Sequence, residues 1–183
     1  MSATGRNLAG NERRTDDFYE TPGWCTELIL PKLWNIYSVL DPCCGKGAIL
    51  DIAREMGAVK TAGIELDGER AIVANRPGHD VMTGNALVGP WPYCTSIVTN
   101  PPYTLAMEFI VAAQTRCSAV ERAFLLRLGF LGSQKRASFH REHPADVYVL
   151  SRRPPFTGRG TDATEYAWFV WGPGRGGRWE ILA

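Results

Sequence analysis

The chain has 183 residues, 45% of them apolar, which is enough to bury one core and fits one domain. Its 20 Lys/Arg and 19 Asp/Glu leave a net charge of +1, which alone argues neither for nor against a nucleic-acid partner. The first twenty residues are polar and no apolar run approaches the ~20 residues of a membrane helix, so neither a signal peptide nor a membrane segment is expected, and a cytoplasmic protein is.

The cysteines (Cys25, Cys43, Cys44, Cys94, Cys117) are odd in number and form no C-x-x-C pair, which argues against a disulfide framework and a zinc site and for reduced thiols. Charge is uneven along the chain: residues 1–99 carry −3 and residues 100–183 carry +4. The late basic residues cluster at Lys135-Arg136, Arg141, Arg152-Arg153 and Arg159, either a solvated surface or a face for phosphates.

Residues 1–14 are polar and rich in Gly, Asn and Arg, and are expected to be a mobile terminal segment ahead of a single domain over 15–183. Thr21-Pro22 predicts a helix start, with Thr21 as N-cap and Pro22 in the first helical position. Short apolar strands are then predicted at 37–40, 61–66, 80–82, 96–99 and 122–128, with helices at 48–56, 68–75 and 105–117. Alternation of this kind gives an α/β fold with a doubly wound, mostly parallel sheet. The rhythm then breaks: a helix at 133–142 is followed by strands at 147–150 and 163–171 with no helix between them, so an antiparallel strand is expected near the C-terminus. A turn-rich stretch, Gly172-Pro-Gly-Arg-Gly-Gly177, leads to a last strand at 178–182.

Three segments carry chemistry. Asp41-Pro-Cys-Cys-Gly-Lys-Gly47 follows the first strand, and its glycines allow tight turning and close backbone approach to a ligand at a helix N-terminus. It is not a phosphate-binding loop of the G-x-x-x-x-G-K-[ST] kind. Glu65 ends the second strand, where a carboxylate takes ribose hydroxyls through two hydrogen bonds. Asn100-Pro-Pro-Tyr103 follows the fourth strand, outside the carboxyl ends of the sheet. Its prolines stiffen the turn and leave carbonyl acceptors, Asn100 adds another acceptor, and Tyr103 adds a flat ring. Together they make a cradle for a planar group bearing an NH2. His79, His140 and His143 share no metal spacing and read as surface or loop residues, and no metal is expected.

On these segments the chain resembles the amino-methyltransferases of DNA, most closely small phage and prophage N6-adenine methyltransferases. The matching stretches are Asp17-Phe-Tyr-Glu-Thr-Pro22, Asp41 to Gly47, Glu65, Gly84-Asn-Ala86, Asn100 to Tyr103, Phe124 to Arg136, Arg153-Pro-Pro-Phe156 and Asp162 to Trp171. The resemblance implies a Rossmann-like methyltransferase fold, S-adenosylmethionine as cofactor, and DNA, duplex or single-stranded, as partner. It places Tyr19, Thr21, Pro22, Asp41, Cys43, Gly45, Gly47, Glu65, Asn85, Ala86 and Asn100 at the cofactor. Asn100, Pro101 and Tyr103 become the catalytic group, with Tyr103 on one face of a flipped adenine and Phe156, held by Pro154-Pro155, on the other. Lys135, Arg136, Arg152 and Arg153 are the candidates for phosphates. Trp168 and Trp171 are expected in the core.

The sequence departs from that family where Cys43-Cys44 and Asn85 stand, and it leaves room for no separate target-recognition domain. Asn-Pro-Pro-Tyr does not by itself separate adenine in DNA from adenine in RNA or a protein glutamine amide, and a non-catalytic cofactor-binding module is a further alternative. Recognised DNA sequence and oligomeric state are not legible.

Overall fold

A computed structural model describes residues 19–156 and 163–183; the N-terminal segment 1–14, Arg159 and Asp162 lie outside them. Among the described residues eight strands form one sheet: β1 (Ser38–Asp41), β2 (Lys60–Glu65), β3 (His79–Thr83), β4 (Ser96–Thr99), β5 (Glu121–Arg127), β6 (Asp146–Leu150), β7 (Tyr166–Trp171) and β8 (Trp179–Leu182). Their spatial order is β3-β2-β1-β4-β5-β7-β6-β8. The first five are parallel, β7 runs antiparallel to both β5 and β6, and β8 is parallel to β6. The strand order reverses between β1 and β4, and a ligand crevice opens at such a point, outside the carboxyl ends of the strands.

Among the described residues five α-helices flank the sheet: α1 (Gly23–Ile29), α2 (Ala48–Glu55), α3 (Gly68–Ala74), α4 (Ala106–Arg116) and α5 (Ala137–Glu142). Both faces of the sheet are covered. Ala123 and Leu125 of β5 and Trp168 and Val170 of β7 pack with Cys25, Ile29 and Ile49. The alternate residues Phe124, Leu126, Phe169 and Trp171 pack with Phe109, Ile110 and Ala113 on the other face. A strand buried on two sides has no polar face, which is why β7 reads as an unbroken apolar run. Trp168 is fully buried and donates its indole N–H to the Cys25 carbonyl at 2.9 Å, tying α1 to the sheet. Trp168 and Trp171 are core residues as expected.

Local differences have local causes. Thr21 does not cap α1: Pro22 is the N-cap residue, and no side chain caps that end. The stretch predicted as a helix over 133–142 splits into a tight 3-10 turn at Gln134–Arg136 and the short α5. His79 is not a surface residue. Its ring is 3% exposed, with Nδ1 2.7 Å from Thr61 Oγ1 and Nε2 3.0 Å from Asp51 Oδ1, because the start of β3 pairs with β2 beneath α2.

Candidate functional site

The crevice between β1 and β4 is a cavity of about 490 Å³, within the range of small-molecule sites. The loop after β1 forms one wall. Gly45 and Gly47 take positive φ (55° and 90°), and Gly47 is the N-cap residue of α2. The loop rests on β2: Cys44 N–H donates to the Ile64 carbonyl at 3.1 Å, and a Cβ on Gly63 would lie 2.6 Å from Cys44 Sγ. Only glycine at 63 lets the loop lie this close.

Asp41 closes β1 and is 2% exposed. Its Oδ1 accepts from Cys43 N–H (3.0 Å) and from Thr99 Oγ1 (2.7 Å), joining the ends of β1 and β4. Burial pushes its carboxyl up to about 7 against those two hydrogen bonds, with the nearby Glu65 charge acting in the same direction as burial.

Glu65 closes β2, 6% exposed, and is already heavily used. Oε1 accepts from Asp67 N–H (2.9 Å) and from Arg70 Nε (3.1 Å) and Nη2 (3.0 Å). Oε2 accepts from Gly45 N–H (2.9 Å). A carboxylate oxygen has about two good acceptor directions, so Oε2 keeps one for a ligand and Oε1 is filled. The carboxylate ties the glycine loop to the start of α3. Asp67 caps α3 by accepting from Arg70 N–H at 2.9 Å.

At the end of β3, Asn85 Oδ1 accepts from Leu87 N–H (2.9 Å), while the buried Ala86 carbonyl takes the Trp91 indole N–H (2.7 Å). This turn, expected at the cofactor, lines the cavity with Leu87 and Leu66.

Asn100 stands at the carboxyl end of β4. Its Nδ2 donates to Thr21 Oγ1 (3.1 Å) and the Tyr19 carbonyl (3.5 Å), which fixes the amide plane. Its Oδ1 is buried and accepts from none of the described residues. A buried acceptor left without a partner costs about 1–3 kcal/mol, so a donor beyond the described residues would stabilise the arrangement. Pro102's carbonyl is taken by Leu105 N–H (2.9 Å), so among the described residues Pro101's is the one of the pair left for a ligand.

The cavity thus gathers Tyr19, Thr21, Asp41, Cys43, Gly45, Glu65, Asn85, Ala86, Asn100, Pro101 and Tyr103. Three expected residues stand outside its wall. Pro22 begins α1, Gly47 begins α2, and Phe156 lies against Tyr166 with ring centroids 5.0 Å apart. Phe156 does belong to an aromatic arc around the site: Tyr19 is 5.9 Å from it, and Tyr166 is 5.7 Å from Tyr103. The sequence reading missed Arg70, Leu66, Leu105 and Phe109 in the wall, and Thr99 behind Asp41. Arg70 and Leu105 had a visible signal, since each lies within five residues of a motif.

Of the basic residues expected at phosphates, three have partners within the chain. Arg136 donates to the Phe130 carbonyl and lies over its ring, Arg152 lies 4.2 Å from the Trp24 ring centroid, and Arg153 pairs with Glu165. Lys135 is exposed. Among the described residues no group of three His, Cys, Asp or Glu could hold a metal ion, and no helix is long and apolar enough to cross a membrane.

No protein-family model matches the chain, and no curated protein matches it significantly. Among solved structures it is similar to PH1948 of Pyrococcus horikoshii, provisionally described as an RNA methyltransferase, with a TM-score of 0.69 and 17% identity over 84% of this chain and 85% of that one. It is also similar to a dimethyladenosine transferase from Plasmodium falciparum, with a TM-score of 0.62 and 15% identity over 85% of this chain and 62% of that one. A geranyl diphosphate methyltransferase solved with S-adenosylmethionine gives a TM-score of 0.60 and 13% identity over 82% of this chain and 84% of that one. Identities this low speak to the fold alone: the chain shares the Rossmann-like fold of these three structures.

Proposed function

We propose that the cavity binds S-adenosylmethionine and that the protein methylates the exocyclic N6 amine of adenine in DNA. The observation that carries this is the buried Oδ1 of Asn100, which accepts from none of the described residues, is held in place through its own amide nitrogen and lines one cavity with Glu65 and the glycine loop. The residues fit such a cofactor. Glu65 Oε2 has one acceptor direction free for a ribose hydroxyl, the Gly45 turn admits a close ligand, and Asp41 and Glu65 favour a cation. When bound, the cofactor supplies an electrophilic methyl group on a sulfonium.

The chain's own part is orientation and charge. The lone pair of an adenine N6 amine is delocalised into the ring. Accepting its two hydrogens, at Asn100 Oδ1 and the Pro101 carbonyl, favours a pyramidal nitrogen whose lone pair is available. The same two dipoles face the positive charge that develops on that nitrogen, and they are already oriented before it appears. Tyr103 presents a ring for stacking, and the base reaches it flipped from a duplex or from a single strand. The positive C-terminal half and the late phage-like segments support DNA. RNA adenine is the second reading, suggested by one fold neighbour named for RNA and another named for dimethyladenosine.

Labelling with radioactive cofactor over duplex DNA, single-stranded DNA, RNA and protein extract, followed by identification of the modified nucleoside, tests the proposal. N6-methyladenine in DNA is the expected product. Label in RNA alone replaces DNA by the second reading, and label on protein, or none, overturns both.

A further inference from the structure

We infer that Cys94 and Cys117 form an oxidisable pair, which a peroxide joins into a disulfide that staples the end of α4 to the approach of β4. This holds whatever the cavity binds. Cys94 lies two residues before β4, and Cys117 is the C-cap residue of α4. The two residues are 1% and 7% exposed, and their sulfurs, both free thiols, are 3.2 Å apart. A disulfide bond is ~2.05 Å long, so the sulfurs need to close by only about 1 Å. Tyr93, Arg116 and Ser118, the chain neighbours of the pair, are exposed, which leaves a small neutral oxidant a short path inward.

The two thiols have different parts. A hydrogen bond from Cys94 Sγ draws the Cys117 thiol down to about 6 against the effect of burial, helped by the Ala119 N–H and the Arg122 charge. The same bond, together with burial, raises the Cys94 thiol, which keeps its proton. A thiolate is the nucleophile in this chemistry, so Cys117 reacts first. Its sulfur attacks one oxygen of the peroxide. The O–O bond breaks, a sulfenic acid forms, and the other oxygen leaves as hydroxide, which takes back the proton that Cys117 gave to solvent. Cys94 sulfur then attacks Cys117 sulfur. The S–O bond breaks, and the Cys94 proton leaves with the hydroxyl as water. The pair loses two electrons and two protons, and hydrogen peroxide becomes two waters. Between the two cysteines lie β4, Asn100-Pro-Pro-Tyr103 and all of α4, while neither cysteine lines the cavity. The staple therefore fastens the arm that carries the Asn100 turn, at the end of β4 away from that turn.

Hydrogen peroxide added to the purified full chain tests this. Thiols titrated in denaturant should fall by two, from five to three, and a peptide map should link Cys94 to Cys117. Closing a loop over residues 94–117 restricts the unfolded chain, so Tm should rise by about 5–10 °C and return with dithiothreitol. In Cys94→Ala, peroxide should leave a sulfenic or sulfinic acid on Cys117, whereas in Cys117→Ala the Cys94 thiol should survive. The wild-type map depends on neither variant folding. Five free thiols after treatment, a link to another cysteine or between chains, or a linked protein whose Tm is unchanged or lower overturns the proposal. Oxidation of Cys94 in Cys117→Ala overturns the order of attack.

Discussion

At the amino ends of β5 and β6, Glu121 and Asp146 are 0% and 1% exposed, and Arg175 reaches both from the loop before β8. At the carboxyl ends of β1 and β4, Asp41 and Asn100 are also buried, yet one has a raised carboxyl and the other an acceptor with no donor among the described residues. The first group is closed. Arg175 also donates to Tyr148 Oη (2.7 Å) and the Lys32 carbonyl (2.6 Å), and Asp146 Oδ1 takes Gly176 and Arg178 N–H. Burial works to raise Asp146, but these hydrogen bonds and the Arg175 charge outweigh it and hold its carboxyl below the usual range. Two sets of buried polar groups in one sheet thus differ in whether the described residues alone satisfy them. Where they do, the group fixes the fold; where they do not, the proposed function gives the open acceptor to a ligand.

The largest expected effect breaks the closed end. Arg175→Met leaves two buried carboxylates without their cation, and breaking a buried pair of this kind costs about 3–5 kcal/mol. Urea unfolding should show that loss, while S-adenosylmethionine affinity of the folded fraction stays unchanged. A loss near zero would show that the clamp is a surface pair in practice, and the contrast between the two ends would fall.

The open end should respond in reverse. Asn100→Ala should lower turnover about 10²–10³-fold, the usual cost of one preorganised dipole at a reacting centre. Its stability should change little, since removing an acceptor that no described residue fills offsets the loss of the bonds to Thr21 and Tyr19. Turnover within about tenfold of wild type would contradict the role given to Oδ1. Glu65→Ala comes next. It loses a ligand bond and the anchor of Gly45, so cofactor affinity by calorimetry should fall at least about tenfold, from bonds worth ~1.5–3 kcal/mol each. Unchanged affinity in the folded variant would take Glu65 out of the site.

The two ends were not equally legible. Asn100-Pro-Pro-Tyr103, the glycine loop and Glu65 are compact segments at strand ends, so reading strands was enough to bring them together. The clamp could not be read that way. Arg175 looked like part of a glycine-rich turn, and its partners Glu121 and Asp146 lie 54 and 29 residues before it. Nothing local marks a charge as buried, and His79 was misplaced for the same reason. Thr21 shows the converse error. Its position before a proline fitted a helix cap, but its hydroxyl accepts from Asn100, a partner 79 residues away that outcompeted the local one. Phe156, placed by resemblance at the base, lies against Tyr166 of β7 and near Tyr19 of the cavity wall.

The smallest effect is one of pH, and it comes from Asp41. Its carboxyl sits at about 7, above an ordinary value of 3.8, chiefly because burial disfavours the charge. In the free protein the stability it contributes is complete below 3.8 and is lost as pH rises towards 7. A cationic ligand in the same cavity favours the ionised form and so lowers that pKa. On the acid side of 7 binding must expel a proton, and affinity for the sulfonium cofactor should rise with pH. It should level off once Asp41 is already ionised in the free protein. One linked proton gives at most about a tenfold change per pH unit, and partial coupling gives less. Calorimetry across this range in two buffers of different ionisation enthalpy reads both the affinity and the proton released. Asp41→Asn keeps an oxygen that can accept from Thr99 and Cys43, so it should fold and bind with a flattened profile. An equal slope in wild type and Asp41→Asn would assign the titration to another group. A flat wild-type profile would mean that the ligand's charge does not reach Asp41, and that its burial serves the β1–β4 junction alone.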